Sequence, residues 1–538
     1  MEKLCTDHIV ESQAVRRTAD YKPNIWNYDD LMQLSRSNPH DYKEEIERLR
    51  EEVGRVLGSS KDPVNTLELI DEIEKLALSY CFEEEIGKSV KEIAFGKTST
   101  SLNMENDLYS AALQFKILRQ HGYRVPQDSI LQLLDDETTR LDDKTKIEVL
   151  EASYLALEDE CLLDRAKGFI AKNPNSNGDH RGKINNVPSH WSVSWFNAKK
   201  HINEPKKYTL HRLARLSFNM VQVQHQKDLK EILSRWWRSL GLSEAVTFTR
   251  DRAVESFLWA VGVAYEPQHG SLRKWLSKAI MLLIVIDDLY DIYGSINELE
   301  QFTTAVEKWD PMETEHLPEA FKRCFWALYD AVNDMDLEMQ KLKGWESVLP
   351  HLHEGWTGFC KALFVEAKWY HKGYSPSLEE YLDNGWKSSS GPLLSVHILL
   401  GVGHNITQTM ATLNNNQEII HYASLIFRLC NDQGTTKAEL ERGDAPSSIQ
   451  CHVREANVTE SQAREHVRNL IIESWKKMNG LFVNCPQSQQ PAIRYVLNIA
   501  RVAYFIYQDG DGCGVQDRET RKQVLSCLID PLPLPPFI

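Results

Sequence analysis

Apolar positions recur at intervals of three and four through most of the chain. Between Asn65 and Tyr80 they fall at Leu67, Leu69, Ile70, Ile73, Leu76 and Leu78. That spacing lays one stripe along a helix. Residues 42–57, 108–118, 129–134, 144–157 and 160–170 continue the pattern. The stretch Asn173-Pro174-Asn175-Ser176-Asn177-Gly178-Asp179 breaks it with loop composition. Helical periodicity resumes near His211 and predicts helices over 210–226, 228–240, 253–264, 272–290, 296–307, 318–342, 349–372 and 378–387. After an interruption at Ser388-Ser389-Ser390-Gly391-Pro392, further helices are predicted over 393–400, 419–431, 460–478 and 492–507. No sustained alternation marks a β-strand or hairpin, and no fixed-period repeat marks a solenoid. The pattern predicts an all-α chain with two α-helical domains, 1–212 and 213–538, behind an irregular N-terminal segment of about 26 residues.

Composition refines this picture. With 538 residues the chain exceeds one ordinary hydrophobic core. A net charge of −15 argues against nucleic acid or an anionic membrane as partner, while leaving room for a local anion site. No apolar run approaches the ~20 residues of a membrane span. The ten cysteines are scattered without a CxxC pair, as expected of reduced thiols. Glu2, Asp7, Glu11 and Asp20 make the first 20 residues unlike a signal peptide and too acidic for a transit peptide.

Candidate chemistry begins at Asp287-Asp288-Leu289-Tyr290-Asp291, after the apolar run Ala279–Ile286. Spacings of three and four put these carboxylates on one helical face. Acids ending a buried helix need positive compensation, and Mg²⁺ is the natural hard cation. A solvated helix end would carry acids of the same kind. A second constellation favours the metal: Asn431, Thr435 and Glu439 stand at i, i+4 and i+8, all hard oxygen donors. Two such walls facing one cavity would seat several Mg²⁺ and a diphosphate. Arg250, Arg252 and Arg428 add guanidinium groups suited to phosphate oxygens, with surface ion pairing as the competing role. Trp259, two turns beyond Arg252, is either core or a pocket wall able to stabilise a carbocation. Tyr504, Phe505 and Tyr507 carry the same ambiguity.

These motifs, with Arg16-Arg17-x₈-Trp26, occur in the order found in plant class I terpene synthases. The chain resembles that family over nearly its whole length, and Arg250–Pro267 and Trp386–Pro392 fit it closely. The tandem arginines resemble the angiosperm group made up mostly of monoterpene synthases. The resemblance implies a C-terminal class I terpenoid synthase α-bundle and an N-terminal relic, α-barrel-like domain. It implies three Mg²⁺ ions, with Mn²⁺ as substitute, held by Asp287, Asp288, Asp291, Asn431, Thr435 and Glu439. Asp287 and Asp291 would be the direct ligands of the first wall. Arg250, Arg252 and Arg428 would grip the diphosphate, and Trp259 would line the pocket. Arg16 and Arg17 would belong to a capping strand linked to substrate isomerisation. The absence of D-x-D-D in the first domain argues against protonation-initiated chemistry.

Departures from the family pattern are a short, polar 171–187 segment, Ser447 where many relatives carry a basic residue, and Cys513 in place of an aromatic. Ile280, rather than phenylalanine, argues against a five-carbon substrate. The expected function is ionisation of geranyl diphosphate to monoterpene products by a monomer. A sesquiterpene synthase acting on farnesyl diphosphate is the runner-up, and a non-catalytic helical binding protein is the reading from another class. The expected compartment is the plastid if a leader has been removed, and the cytoplasm if Met1 is the native start.

Overall fold

The computed structural model describes residues 21–34, 42–60, 62–96, 107–135, 142–172, 188–204, 208–242, 246, 248–442 and 446–534. No strand occurs among the described residues. The expected capping strand, with Arg16 and Arg17, lies outside them. Among the described residues, a short helix Tyr28–Met32 is followed in the first half by eight longer ones: α1 Lys43–Ser59, α2 Pro63–Lys75, α3 Glu83–Phe95, α4 Leu108–Gln120, α5 Asp128–Asp135, α6 Asp143–Ser153, α7 Leu162–Lys172 and α8 Ser194–Ile202. The chain continues through α9 Tyr208–Glu231, α10 Ala253–Val263, α11 Gly270–Asp288, α12 Ile296–Lys308, α13 Glu319–Lys343, α14 Leu349–Lys372 and α15 Leu378–Ser388. Then follow α16 Gly391–Val402, α17 Ile406–Asn415, α18 Gln417–Arg442, α19 Ser448–Ala456, α20 Glu460–Asn484, α21 Gln490–Tyr507 and a short α22 Arg518–Val524 that widens into a π-turn over Leu525–Ile529.

Local sequence explains many of the boundaries. Asp62 caps α2 ahead of Pro63, accepting from the Val64 amide at 3.1 Å. Ser295 with Glu298, Ser377 with Glu380 and Thr459 with Gln462 form capping boxes at α12, α15 and α20. Two differences from the sequence reading matter. The expected boundary at 212/213 falls inside α9, which packs on both α1 and α11. α18 does not stop at Asn431 but runs on to Arg442. Apolar periodicity lapses there because one helical face turns polar, while Thr435 and Thr436 donate to the carbonyls four residues back.

The C-terminal half is built around α16, which is buried almost all round. It touches α11, α14, α18 and α21. Its first and penultimate residues are glycine. A Cβ on Gly391 would lie 2.2 Å from Ser424 Oγ on α18, and one on Gly401 2.4 Å from Leu272 Cδ1 on α11. Glycine therefore sets how near α16 comes to the two helices that carry the acidic motifs.

In the first half, Lys116 is 1% exposed and pairs with Asp71 at 2.8 Å and Glu148 at 2.5 Å. The halves meet through Trp191 stacked on Trp475, centroids 5.6 Å apart, and through His190 and Asn479 at 2.7 Å. Between them lies a cavity of about 780 Å³ lined by Glu74, Glu83, His121, Glu266, Arg494 and Arg501, among others. None of the acidic-motif residues borders it.

Glu266 leaves Oε2 without a hydrogen-bond partner in this interior. Burial pushes its carboxyl up to about 7, Arg273 opposes the shift and Glu83 adds to it. A carboxyl raised on folding contributes stability that is complete below its ordinary pKa and is lost as pH rises through 7. Glu266→Gln is therefore expected to flatten the fall in stability between pH 5 and pH 8, gaining up to about 2 kcal/mol at the upper end. Urea unfolding of both proteins across that range checks this, and parallel pH curves contradict it.

Candidate active site

The first acidic motif begins in the last turn of α11, after the apolar stretch Ala279–Ile286. Leu276, Ala279, Ile280, Met281, Leu282, Leu283, Val285 and Ile286 are all buried in α11. At Leu289 the α-turn widens into a π-turn over Leu289–Tyr293. Asp291 thus leaves the α-helical register assumed from its spacing, a local widening often found at functional sites. The Tyr290 hydroxyl and Thr303 Oγ1, 2.7 Å apart, tie this turn to α12.

The three aspartates have three environments. Asp288 is 0% exposed. It accepts from Thr249 Oγ1 at 2.9 Å, the Arg250 amide at 2.9 Å, Arg250 Nε at 3.2 Å and the Tyr21 hydroxyl at 3.1 Å. Arg250 also reaches its second oxygen at 2.8 Å. Both oxygens of Asp288 are committed to protein donors, so its place is that of an anchor for Arg250. Asp287 keeps 36% of its side chain open and meets Arg250 at 3.0 Å. Surrounding protein pushes its carboxyl up to about 6, Arg250 opposes this, and Asp288 adds to it. It is a carboxylate that one arginine does not fully compensate. Asp291 is exposed.

The second motif lies on α18. The Thr435 hydroxyl donates to the Asn431 carbonyl at 2.9 Å, leaving its lone pairs free to accept. Arg428 is held by the Gly385 carbonyl at 3.1 Å and Ser388 Oγ at 3.0 Å on α15, and reaches Asn431 Oδ1 at 3.4 Å. The two walls sense each other: Arg428 lowers the pKa of Asp287, and Asp287 raises that of Arg428.

Glu366 on α14 escaped the sequence reading. It accepts from Asn384 at 3.2 Å and Ser388 Oγ at 2.5 Å, and its charge acts on both Asp287 and Arg428. The signal available was a single acid within the mostly apolar run Phe359–Ala367. Asp511 is a second such residue, close enough to Arg250 to raise its pKa.

Arg252 sits apart from Arg250. It is 3% exposed and donates to the carbonyls of Cys513 at 3.1 Å, Gly514 at 2.9 Å and Asp251 at 2.9 Å. It braces the 513–514 backbone rather than reaching toward the aspartates. Trp259 packs on Phe427 with centroids 4.8 Å apart, and Phe427 on Tyr507 at 6.4 Å. Burial pushes the Tyr507 hydroxyl well up and Asn431 opposes the shift, so this aromatic row adjoins the second wall. Ser447 is spent as the N-cap of α19, with Thr436 Oγ1 at 2.8 Å. Residues ahead of α1 lie over the first wall. Trp26 donates to Glu255 at 2.7 Å, Tyr28 to Asp251 at 2.5 Å, and the Tyr21 ring lies 5.0 Å from the Arg250 guanidinium. Arg16 and Arg17, just before it, lie outside the described residues.

No three His, Cys, Asp or Glu side chains converge as a ready-made metal cage among the described residues. The donor set nonetheless fits a hard cation: carboxylate, amide and hydroxyl oxygens, no sulfur or imidazole, and an under-compensated Asp287.

Comparison with known proteins agrees with this chemistry. Residues 238–477 match the terpene synthase family metal binding domain, and residues 25–182 the terpene synthase N-terminal domain. An alpha-farnesene synthase of Ricinus communis is 45% identical, with 96% of each chain covered. An alpha-thujene synthase of Litsea cubeba is 40% identical over 96% of this chain and 92% of its own. Among solved structures, a limonene synthase with 2-fluorolinalyl diphosphate superposes with a TM-score of 0.89 at 33% identity, covering 96% of this chain and all of that one. Isoprene synthase from grey poplar, in complex with three Mg²⁺ ions and dimethylallyl-S-thiolodiphosphate, gives 0.84 at 36% identity, covering 95% and 99%. The chain belongs to the terpene synthase family, lyases of isoprenoid biosynthesis that use divalent metal and prenyl diphosphates, and it has the class I terpenoid synthase fold.

The environments of the aspartates predict unequal effects. Asp288→Ala takes from Arg250 its fully buried partner, leaving it the half-open Asp287, and is expected to cost about 3 kcal/mol of stability. Asp291→Ala, at an exposed position, is expected to cost less than about 0.5 kcal/mol. Urea unfolding of the two variants checks the contrast, and equal losses contradict it.

Proposed function

We propose that the protein ionises geranyl diphosphate and converts the allylic cation to monoterpene product, releasing diphosphate. The observation that carries this reading is the electrostatic contact of Asp287 with Arg250 on its own side and Arg428 on the other. Asp287 and Asp291, with Asn431, Thr435 and Glu439, would hold three Mg²⁺, with Mn²⁺ as substitute. When bound, the cations supply neutralisation of the charge that develops on the departing diphosphate. Arg250 and Arg428 provide fixed donors for the same charge, aimed before the reaction begins. Asp288 keeps Arg250 in place and Glu366 keeps Ser388 turned toward Arg428. Trp259, Phe427 and Tyr507 supply π-faces to a cation and exclude water from it. The segment holding Tyr21, Trp26 and Tyr28 would close the site, with Arg16 and Arg17 contributing from the stretch before it.

Farnesyl diphosphate is a second reading. It is favoured by the 45% and 44% identity to farnesene synthases of Ricinus communis and Malus domestica. The ten-carbon reading is supported by the tandem-arginine motif, and by the thujene and ocimene synthases of Litsea cubeba among the relatives. Purified protein given each diphosphate with Mg²⁺ decides the matter, with products read by gas chromatography. Turnover of geranyl diphosphate is expected, reduced about 100-fold or more by Asp287→Ala. Turnover of only the fifteen-carbon substrate moves the assignment to a sesquiterpene synthase. An Asp287→Ala variant with full activity removes the metal wall from the mechanism.

A further inference from the structure

Asn431 and Asp432 are neighbours in sequence but lie about 100° apart around α18. Asn431 turns to Arg428, whose guanidinium donates to its Oδ1 at 3.4 Å, on the side of the site. Asp432 turns the other way and is 1% exposed. It accepts from the Tyr381 hydroxyl on α15 at 2.9 Å. Its other oxygen accepts from the Ser448 amide in the first turn of α19 at 3.0 Å. Its own carbonyl accepts from Thr436 Oγ1 at 2.5 Å, and that hydroxyl lies 2.8 Å from Ser447 Oγ at the α19 cap. Tyr381 is itself 4% exposed. One carboxylate thus joins three helices, and neither of its oxygens is left to face a ligand.

We infer that Asp432 is a positioning residue, which with Tyr381 fixes the rotation of α18 so that Asn431, Thr435 and Glu439 present their oxygens together. A helix turned by a fraction of a residue would still pack, because its buried face is broad. It would no longer align three side chains spread over two turns. The expected loss therefore falls on affinity for cation with diphosphate, more than on stability or on recognition of the prenyl chain. This inference rests on the Mg²⁺–diphosphate reading of the site.

Three variants test it. Asp432→Ala removes both acceptors, and Tyr381→Phe removes one hydroxyl and little else. Asp432→Asn keeps the network, since its amide oxygen accepts from Ser448 while its NH₂ donates to the Tyr381 oxygen. Two readouts are needed: the rise in unfolding temperature on adding Mg²⁺ with inorganic diphosphate, and the Mg²⁺ concentration giving half-maximal turnover. In Asp432→Ala and Tyr381→Phe the thermal rise is expected to fall by more than half. Half-saturating Mg²⁺ is expected to increase about tenfold, the usual effect of losing a group that orients metal ligands. The KM for prenyl diphosphate at saturating Mg²⁺ is expected to stay within about twofold, and Asp432→Asn to behave as wild type. Wild-type values of both readouts in Tyr381→Phe and Asp432→Ala overturn the inference, whatever their unfolding temperatures. An Asp432→Asn variant as impaired as the alanine also overturns it, by making the charge itself the requirement. If the wild-type protein shows no thermal rise with Mg²⁺ and diphosphate, the functional reading fails and the inference falls with it.

Discussion

A guanidinium carried into a protein interior needs anionic partners, and Arg250 has two from consecutive residues of one helix. Asp288 takes it in a buried, multiply bonded contact, and Asp287 shares it at the edge of the opening. Breaking such a pair from either side leaves a buried charge unmatched. The N-terminal segment depends on the same pair, because Tyr21 both bonds Asp288 and covers the guanidinium. The arrangement also leaves the first wall with a surplus of negative charge toward the opening. The structure therefore holds one carboxylate satisfied and offers the next, which is the electrostatic condition for recruiting a cation.

Separation of the two walls is a packing matter. α16 lies between α11 and α18, and two of its glycines, Gly391 and Gly401, admit Ser424 and Leu272 at distances a side chain would forbid. Interiors pack too tightly to absorb an added methyl group without movement. Movement here would change the gap across which Asp287 and Arg428 act on each other. Arg428 is fixed from the other side by α15, through Gly385 and Ser388, with Glu366 bonded to Ser388 in turn. Backbone spacing sets the site's width, and buried hydrogen bonds set the orientation of its edges.

Much of this was legible in the sequence, for identifiable reasons. Period and length predict the helices because each buries one stripe, and α14 falls where its apolar spacing puts it. Acid motifs stand out because carboxylates rarely follow an apolar run such as Ala279–Ile286. Roles within a motif were less legible. The text Asp287-Asp288 does not say which side chain faces the interior, since that depends on Arg250, 38 residues away, and on Tyr21. Arg252 reads like Arg250 but braces the 513–514 backbone. The π-turn at Asp291 carries no mark in the spacing of its residues, and the continuation of α18 past Asn431 is masked because the apolar periodicity lapses there. Glu366 carries no motif at all, and only the fold brings it near enough to act on both Asp287 and Arg428. The boundary near residue 212 was hidden because α9 buries residues toward both halves.

If the two walls form a single site for cation and diphosphate together, each ligand must strengthen the other's binding. Isothermal titration of Mn²⁺ into the protein, with and without inorganic diphosphate, measures this directly. The prediction is an increase in Mn²⁺ affinity of at least about tenfold with diphosphate present, matched by the reciprocal titration and lost in Asp287→Ala. Mn²⁺ binding that is indifferent to diphosphate, or a coupling that survives Asp287→Ala unchanged, would contradict it.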